Sequence, residues 1–178
     1  DINKHRSKLV EILTNVTNTP SFFILGNYET WSNPINWINE FKKQKANILE
    51  NEIYIVSLWS TDICIRGLGD YYTKRFKYVE FPEVCKNKPK ITITHDPAGA
   101  FNTKIRGLVV SGHTHCGQIS FPFIGPIWIP SEVPREAHCG LYQDNQRTVF
   151  TTSGIGTTIL PIRIGTQSEW DLLSVNFK

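Results

Sequence analysis

The chain has 178 residues, of which 40% are hydrophobic and 20% charged; this suits one compact domain with a sizeable core and excludes a disordered tail. Its net charge of +3 is too small to argue for nucleic acid on electrostatics alone. No apolar run reaches the length of a membrane span and no signal-peptide pattern opens the chain, but methionine is wholly absent, so Asp1 reads as the start of a processed or truncated piece.

Leu9, Ile12, Leu13 and Val16 recur at helical spacing, so residues 5–18 read as an amphipathic helix stopped by TNTP. SFFIL follows as a short buried strand ending at Gly26-Asn27. Asn33 before Pro34 has the form of an N-cap followed by a first-turn proline, which opens a helix to about Lys45. EIYIVSLW and DICIRGLG read as paired strands, and YYTKRFKYV as a helix. KITIT is a strand that ends at His95, and IRGLVVS another that ends at the glycine-bounded pair His113 and His115. CGLYQDNQRTVFTTSG has the pattern of a hairpin turning at Asp144-Asn145, and EWDLLSVNF alternates like a last, half-exposed strand. There is no internal repeat and no Gly/Ser-rich linker. Helices mixed with strands early and hairpins late therefore predict a single layered α/β sandwich with mixed sheets.

Three segments, FFILGN, ITITH and LVVSGHTH, share a form: a short apolar strand followed at once by a side chain able to bind metal. Loops converge at the carboxyl ends of strands in layered α/β folds, so Asn27, His95, His113 and His115 are expected to meet despite their separation in sequence. Gly112 and Gly117 let the backbone turn tightly around the histidine pair. Side chains alternate along an extended segment, so H-x-H either straddles two sites or sits on a turn, and both suit neighbouring metals. Two imidazoles so close repel if both protonate, and a metal removes that difficulty. His5 and His138, isolated from this pattern, read as hydrogen-bonded structural residues.

The four cysteines, Cys64, Cys85, Cys116 and Cys139, show no CxxC spacing and are too few for a disulfide scaffold. Cys64 lies in an apolar run and reads as a small core residue. HTHC at 113–116 and HC at 138–139 offer a competing structural zinc site, although the spacing matches no common zinc-finger pattern.

GNYE, THDP and GHTHCGQ resemble the later motifs of the calcineurin-like metallophosphoesterases, in particular the bacterial branch with GNHE or GNHD, a lone histidine after a strand, and GHTHGGQ. The tail CGLY…TTSGIGTTILPIRIG is similar to that branch's ending, so the resemblance runs from about residue 22 to the C-terminus. It implies a metallophosphoesterase-like fold and a centre of two divalent ions, Mn²⁺, Fe or Zn²⁺. Asn27, His95 and His113 would be ligands of one ion and His115 of the other, with a bridging hydroxide attacking phosphorus in line. The implied activity is a phosphoester hydrolase, more specifically a phosphodiesterase, with a lipid- or nucleotide-linked substrate. The alternative is a degenerate, non-catalytic binding domain. The implied setting is the bacterial cytoplasm or cell envelope, soluble or membrane-peripheral.

The departures shape the expectation further. The family's D-x-H and G-D-x-x-D motifs are not present, and Asp1 stands roughly where the last Asp of the second would fall. Residues 1–178 therefore read as the C-terminal part of a single metallophosphoesterase domain, incomplete at the N-terminus and associated with a missing segment. Alone, it is expected to bind one metal weakly and to have little activity. Tyr28 stands where the family has a histidine that assists the leaving oxygen, and Glu29 where an acidic residue orients that histidine. A phenol donates a hydrogen bond but carries no positive charge at neutral pH. Cys116 replaces a glycine, reading either as a soft ligand or oxidation handle or as a tolerated small residue. Arg163, and also Arg66, are candidates to contact substrate phosphate. Trp31 and the loop FPFIGPIWIP form either an apolar wall open to a lipid-like substrate or membrane surface, or part of the core; core is the reading taken.

Overall fold

The computed structural model describes residues 2–15 and 19–177. Helix α1 (Ile2–Thr14) leads to strand β1 (Phe22–Phe23), helix α2 (Asn27–Trp31), helix α3 (Pro34–Lys43) and strand β2 (Asn47–Ile48). Strands β3 (Glu52–Leu58), β4 (Thr61–Gly67), β5 (Lys90–Ile93) and β6 (Gly107–Ser111) follow, then the short β7 (Ser120–Phe121) and β8 (Gly125–Pro126), and finally β9 (Gly140–Gln143) and β10 (Arg147–Thr151). The principal sheet has the order β3-β4-β5-β6-β10-β9. Its four central strands are parallel, while β3 and β9 close the edges antiparallel through hairpins. The fold is α/β, with a mixed six-stranded sheet.

Side-chain alternation creates the layers. In β1, Phe22 packs with Leu49, just past β2, and with Val56 and Ile65 of the large sheet, while Phe23 packs with Val10 and Phe41 of the helices and Ile48 of β2. The small parallel β1-β2 sheet thus lies between α1 and α3 on one side and the large sheet on the other. On the opposite face, Val109 and Val149 join Leu68, Ala100 and Ile105 beneath the segments that cross between strands. The expected N-cap is present: Asn33 Oδ1 accepts the Asn36 N–H at 3.3 Å, with Pro34 opening the helix. Asp144 Oδ1 closes the β9-β10 hairpin by accepting the Gln146 and Arg147 N–H groups.

Several expectations are corrected. Helix α1 buries Val10 and sets Arg6 over Trp37, leaving Leu9, Ile12 and Leu13 exposed among the described residues, so the apolar stripe is not the packed face. The expected end of that helix at residues 16–18, and Asp1, lie outside the described residues. YYTKRFKYV is not a helix: the Asp70 carbonyl accepts the Arg75 and Phe76 N–H groups, its carboxylate accepts the Thr73 N–H, and Lys74 has φ +62°. A local turn there competes successfully with helix hydrogen bonds. EWDLLSVNF forms no strand; Trp170 and Leu172 are exposed, and Glu169 and Asp171 are tied to Ser153 and Thr152 instead of a ladder.

The cysteines are paired, Cys64 with Cys85 and Cys116 with Cys139, and among the described residues none is free. Neither spacing nor number signalled this, because the partners are brought together by the crossover after β4 and by the loop after β6. Cys116 is therefore neither an adaptable small residue nor a thiolate ligand, and the structural zinc reading is overturned. The FPFIGPIWIP loop is surface, not core: Phe123 is fully exposed and Ile124, Ile127 and Trp128 are largely so.

Candidate metal centre

Three strand ends deliver the cluster. After β1, Gly26 caps α2 and places Asn27, which is buried, at its first position. Beyond β5 comes His95, and beyond β6 come His113 and His115. Asn27 Oδ1 lies 2.9 Å from His95 Nε2, which lies 3.1 Å from His113 Nδ1. The other nitrogen of His113 donates to the Pro130 carbonyl at 2.7 Å, which leaves the Nδ1 lone pair directed at the cluster. Gly26 has a packing reason to be glycine: an added Cβ would sit 2.7 Å from the His95 ring.

All four side chains line one cavity of about 220 Å³, whose remaining wall includes Tyr28, Trp31, Tyr72 and Trp128. The loop from His113 to Gln118 is unusual. His113, His115, Cys116 and Gln118 all have φ between +47° and +65°, a region that ordinarily favours glycine. Three ties hold it there: the Cys116–Cys139 disulfide, the Thr114 hydroxyl donating to the His138 carbonyl at 2.6 Å, and Arg163 donating to the His115 carbonyl at 3.3 Å.

The residues present fit a metal ion in part. Two ligands at right angles on an ion with bonds of about 2.1 Å stand about 3 Å apart, as the Asn27, His95 and His113 atoms do. His115 Nδ1 is buried with no hydrogen-bond partner among the described residues, the condition a ligand nitrogen has without its ion. The set is short of anions, however: among the described residues no Asp or Glu lines this cavity, and no three His, Cys, Asp or Glu side chains are grouped to hold an ion by themselves.

The uncharacterized metallophosphoesterase YkuE of Bacillus subtilis is 39% identical over 83 residues, covering 44% of this chain and 28% of that protein. The phosphodiesterase YaeI of Escherichia coli is 25% identical across 88% of this chain and 58% of its own length. An uncharacterized metallophosphoesterase of Helicobacter pylori is 29% identical across 95% of this chain and 46% of its own. The chain is similar to proteins named metallophosphoesterase and phosphodiesterase. It spans from 28% to 58% of the length of these three proteins. No family model and no solved structure matches the chain.

The remaining predicted residues divide. Tyr28 is at the cavity rim, half exposed, with its hydroxyl 2.5 Å from Thr158 Oγ1 and its ring edge-on to Trp31. Glu29 does not line the cavity; its carboxylate accepts the Gly26 N–H at 2.9 Å and so caps the start of α2. Arg163 is directed at main chain, donating to the carbonyls of His115, Ser153, Gly154, Gly156 and Gln167. Those bonds make it a clamp on the histidine loop. Arg66 lies elsewhere, on Thr92 and Val79.

Sequence reasoning missed Tyr72, whose ring packs 4.8 Å from that of His113, and Asp96. Asp96 is buried, accepts from Ala98 N–H and the Ser131 hydroxyl, and caps the 3-10 turn that follows His95. Its HDP string was the available signal, since an Asp before Pro is a cap form.

Burial, reinforced by His113 and His115, pushes His95 down to about 3. Burial likewise lowers His115, with Arg163 adding to it. A neutral His95 in the folded chain, against an ordinary value near 6.5 when unfolded, means that the unfolded state binds the extra proton between those pH values. Metal-free protein should hold its full His95 contribution above about pH 6.5 and lose about 1.4 kcal/mol per pH unit as the pH falls toward about 3. Urea unfolding of the metal-free parent and of His95→Gln, at about pH 7 and about pH 5, checks this. Equal losses in both proteins would show that His95 does not carry that proton.

Proposed function

We propose that this chain is part of a metal-dependent phosphoester hydrolase acting on phosphodiesters through a two-ion centre. The observation that carries it is the convergence of Asn27 Oδ1, His95 Nε2 and His113 Nδ1 within 3.1 Å steps at three strand ends, in a chain whose curated relatives include proteins named metallophosphoesterase and phosphodiesterase. Asn27, His95 and His113 would hold one ion and His115 the other, with carboxylates supplied by an associated N-terminal segment of the same domain. Bound divalent ions would supply Lewis-acid charge at the phosphoryl oxygens and an activated water.

The chain's own residues have distinct tasks in this reading. The Pro130 carbonyl fixes the His113 tautomer, so that a lone pair and not a proton faces the centre. Burial keeps His95 neutral and able to coordinate. Tyr28, held by Thr158 at the rim, presents a hydroxyl to the leaving oxygen but no positive charge. Trp128 lines the cavity, and the exposed Phe123, Ile124 and Ile127 precede it on the same loop, an apolar surface that favours a substrate with a lipid-like substituent and contact with a membrane surface. Among the described residues no helix is long and apolar enough to cross a membrane. The two disulfides favour an oxidising compartment, the cell envelope rather than the cytoplasm.

The full-length protein, stripped with EDTA and resupplied with Mn²⁺, should hydrolyse bis(p-nitrophenyl) phosphate. Tyr28→His should turn over faster than the parent, and Tyr28→Phe slower, each by about tenfold, less than the roughly 100-fold or more of full acid–base assistance because a phenol already donates a hydrogen bond there. A histidine variant no faster than the parent would remove Tyr28 from the chemistry. Absence of turnover with intact folding would favour a second reading, a non-catalytic binding domain, for which the absence of a carboxylate among the described residues of the cavity wall speaks.

A further inference from the structure

A second cavity, of about 360 Å³, opens on the large sheet well away from the histidines. Lys90 lies in its wall and opens β5, whose far end leads to His95; Arg106 lies there too, just before β6, whose far end leads to His113. The two sites are thus separated by the length of those strands, roughly 13–17 Å at about 3.3 Å per residue.

The wall is strongly cationic. Arg66, Lys86, Lys90, Lys104 and Arg106 line it, against only two carboxylates, Glu80 and Glu83. Glu83 pairs with Lys86 at 2.9 Å, and Glu80 accepts the Tyr78 hydroxyl. The other four cations have no carboxylate partner among the salt bridges of the described residues. They are held instead by neutral groups. Lys90 Nζ donates to the Lys86 and Lys88 carbonyls, Arg106 to those of Thr103 and Ile105, and Lys104 sits over the Tyr78 ring at 5.2 Å. Carbonyls and rings fix positions without cancelling charge.

Arg66 is the second, independent observation. It is 2% exposed, its guanidinium lies 4.4 Å over the Phe81 ring, and its bonds go to Thr92 and the Val79 carbonyl. Those bonds occupy part of a five-donor fork. Burial works against its charge, holding its pKa below the ordinary guanidinium value. Tyr78 and Glu80 partly oppose that effect, but with no carboxylate in salt-bridge contact among the described residues the buried guanidinium keeps a desolvation penalty that a bound anion would offset. The Cys64–Cys85 disulfide anchors the segment bearing Phe81, Glu83 and Lys86 over β4, so the wall is braced before any ligand arrives.

We propose that this cavity is a binding site for a multiply charged, phosphate-bearing anion, distinct from the histidine centre and independent of its chemistry. The guanidinium forks and ammonium groups suit phosphoryl oxygens, and several cations facing one space favour two phosphates over one.

The test uses the full-length protein with EDTA present, so that the histidine centre holds no metal and contributes no anion binding. Inorganic pyrophosphate is titrated calorimetrically into the parent and into Lys104→Ala/Arg106→Ala, whose substitutions are both exposed and leave the core untouched. The parent should bind one pyrophosphate, weakening as salt rises, and the double variant should bind at least tenfold more weakly. A parallel arm uses phosphatidylcholine vesicles with and without phosphatidic acid. Retention on the phosphatidic acid vesicles alone, lost in the double variant, supports the same site with a lipid headgroup as its source. Binding by neither probe, or equal binding by parent and double variant, overturns the proposal.

Discussion

Replacing His113 with alanine should lower manganese-supported phosphodiester hydrolysis by more than about 100-fold, beyond what loss of a residue that merely orients a ligand costs. The magnitude follows from position. His113 Nδ1 faces His95 Nε2 at 3.1 Å, its Nε2 is fixed by Pro130, and its ring packs on Tyr72. Removing it deletes one donor and frees the ring of His95, whose neighbour at that nitrogen would then be Asn27 alone. Bound manganese, measured by elemental analysis after gel filtration, should fall together with the rate. A variant that keeps its fold, its metal and its turnover would sink the assignment of this cluster as the metal centre.

The second large effect concerns the disulfides. Each closes a loop of similar length, with cysteines 21 and 23 positions apart, so removing either should cost about 3 kcal/mol of stability by chain entropy. Their functional consequences should differ. Cys116–Cys139 tethers a loop in which His113, His115, Cys116 and Gln118 all have left-handed backbone angles, each costing of order 1–3 kcal/mol when the surroundings do not enforce it. Cys116→Ser/Cys139→Ser should therefore relax the loop and weaken manganese binding at least tenfold. Cys64→Ser/Cys85→Ser should lose comparable stability yet leave manganese affinity within about twofold, because that bridge joins β4 to a crossover away from the histidines. Urea denaturation and metal titration of both double variants separate the two effects. Equal metal affinity in the two would show that the loop is held by Thr114 and Arg163 without the bridge.

Strand ends and their metal-capable residues were legible because apolar runs stop abruptly: KITI before His95 and GLVVS before His113 are strands at nearly the expected limits. The β3-β4 hairpin was legible for the same reason, and the hairpin at Asp144 had local turn chemistry at its tip as well. Segments whose conformation depends on a distant partner were not. YYTKRFKYV has no regular period to defend it, and Asp70 captures its amides. EWDLLSVNF alternates, but its two carboxylates find Thr152 and Ser153 before any strand edge.

By itself the sequence determined the α/β class, the mixed sheet, and which side chains stand at the carboxyl ends of β1, β5 and β6, because those follow from local periodicity and short-range turns. Only the tertiary structure decided that Asn27, His95 and His113 converge, that Glu29 caps a helix, that Arg163 clamps backbone, and that four cysteines form two bridges. Each of those depends on atoms far apart in the chain, whose meeting is set by the parallel crossovers and not by spacing along the sequence.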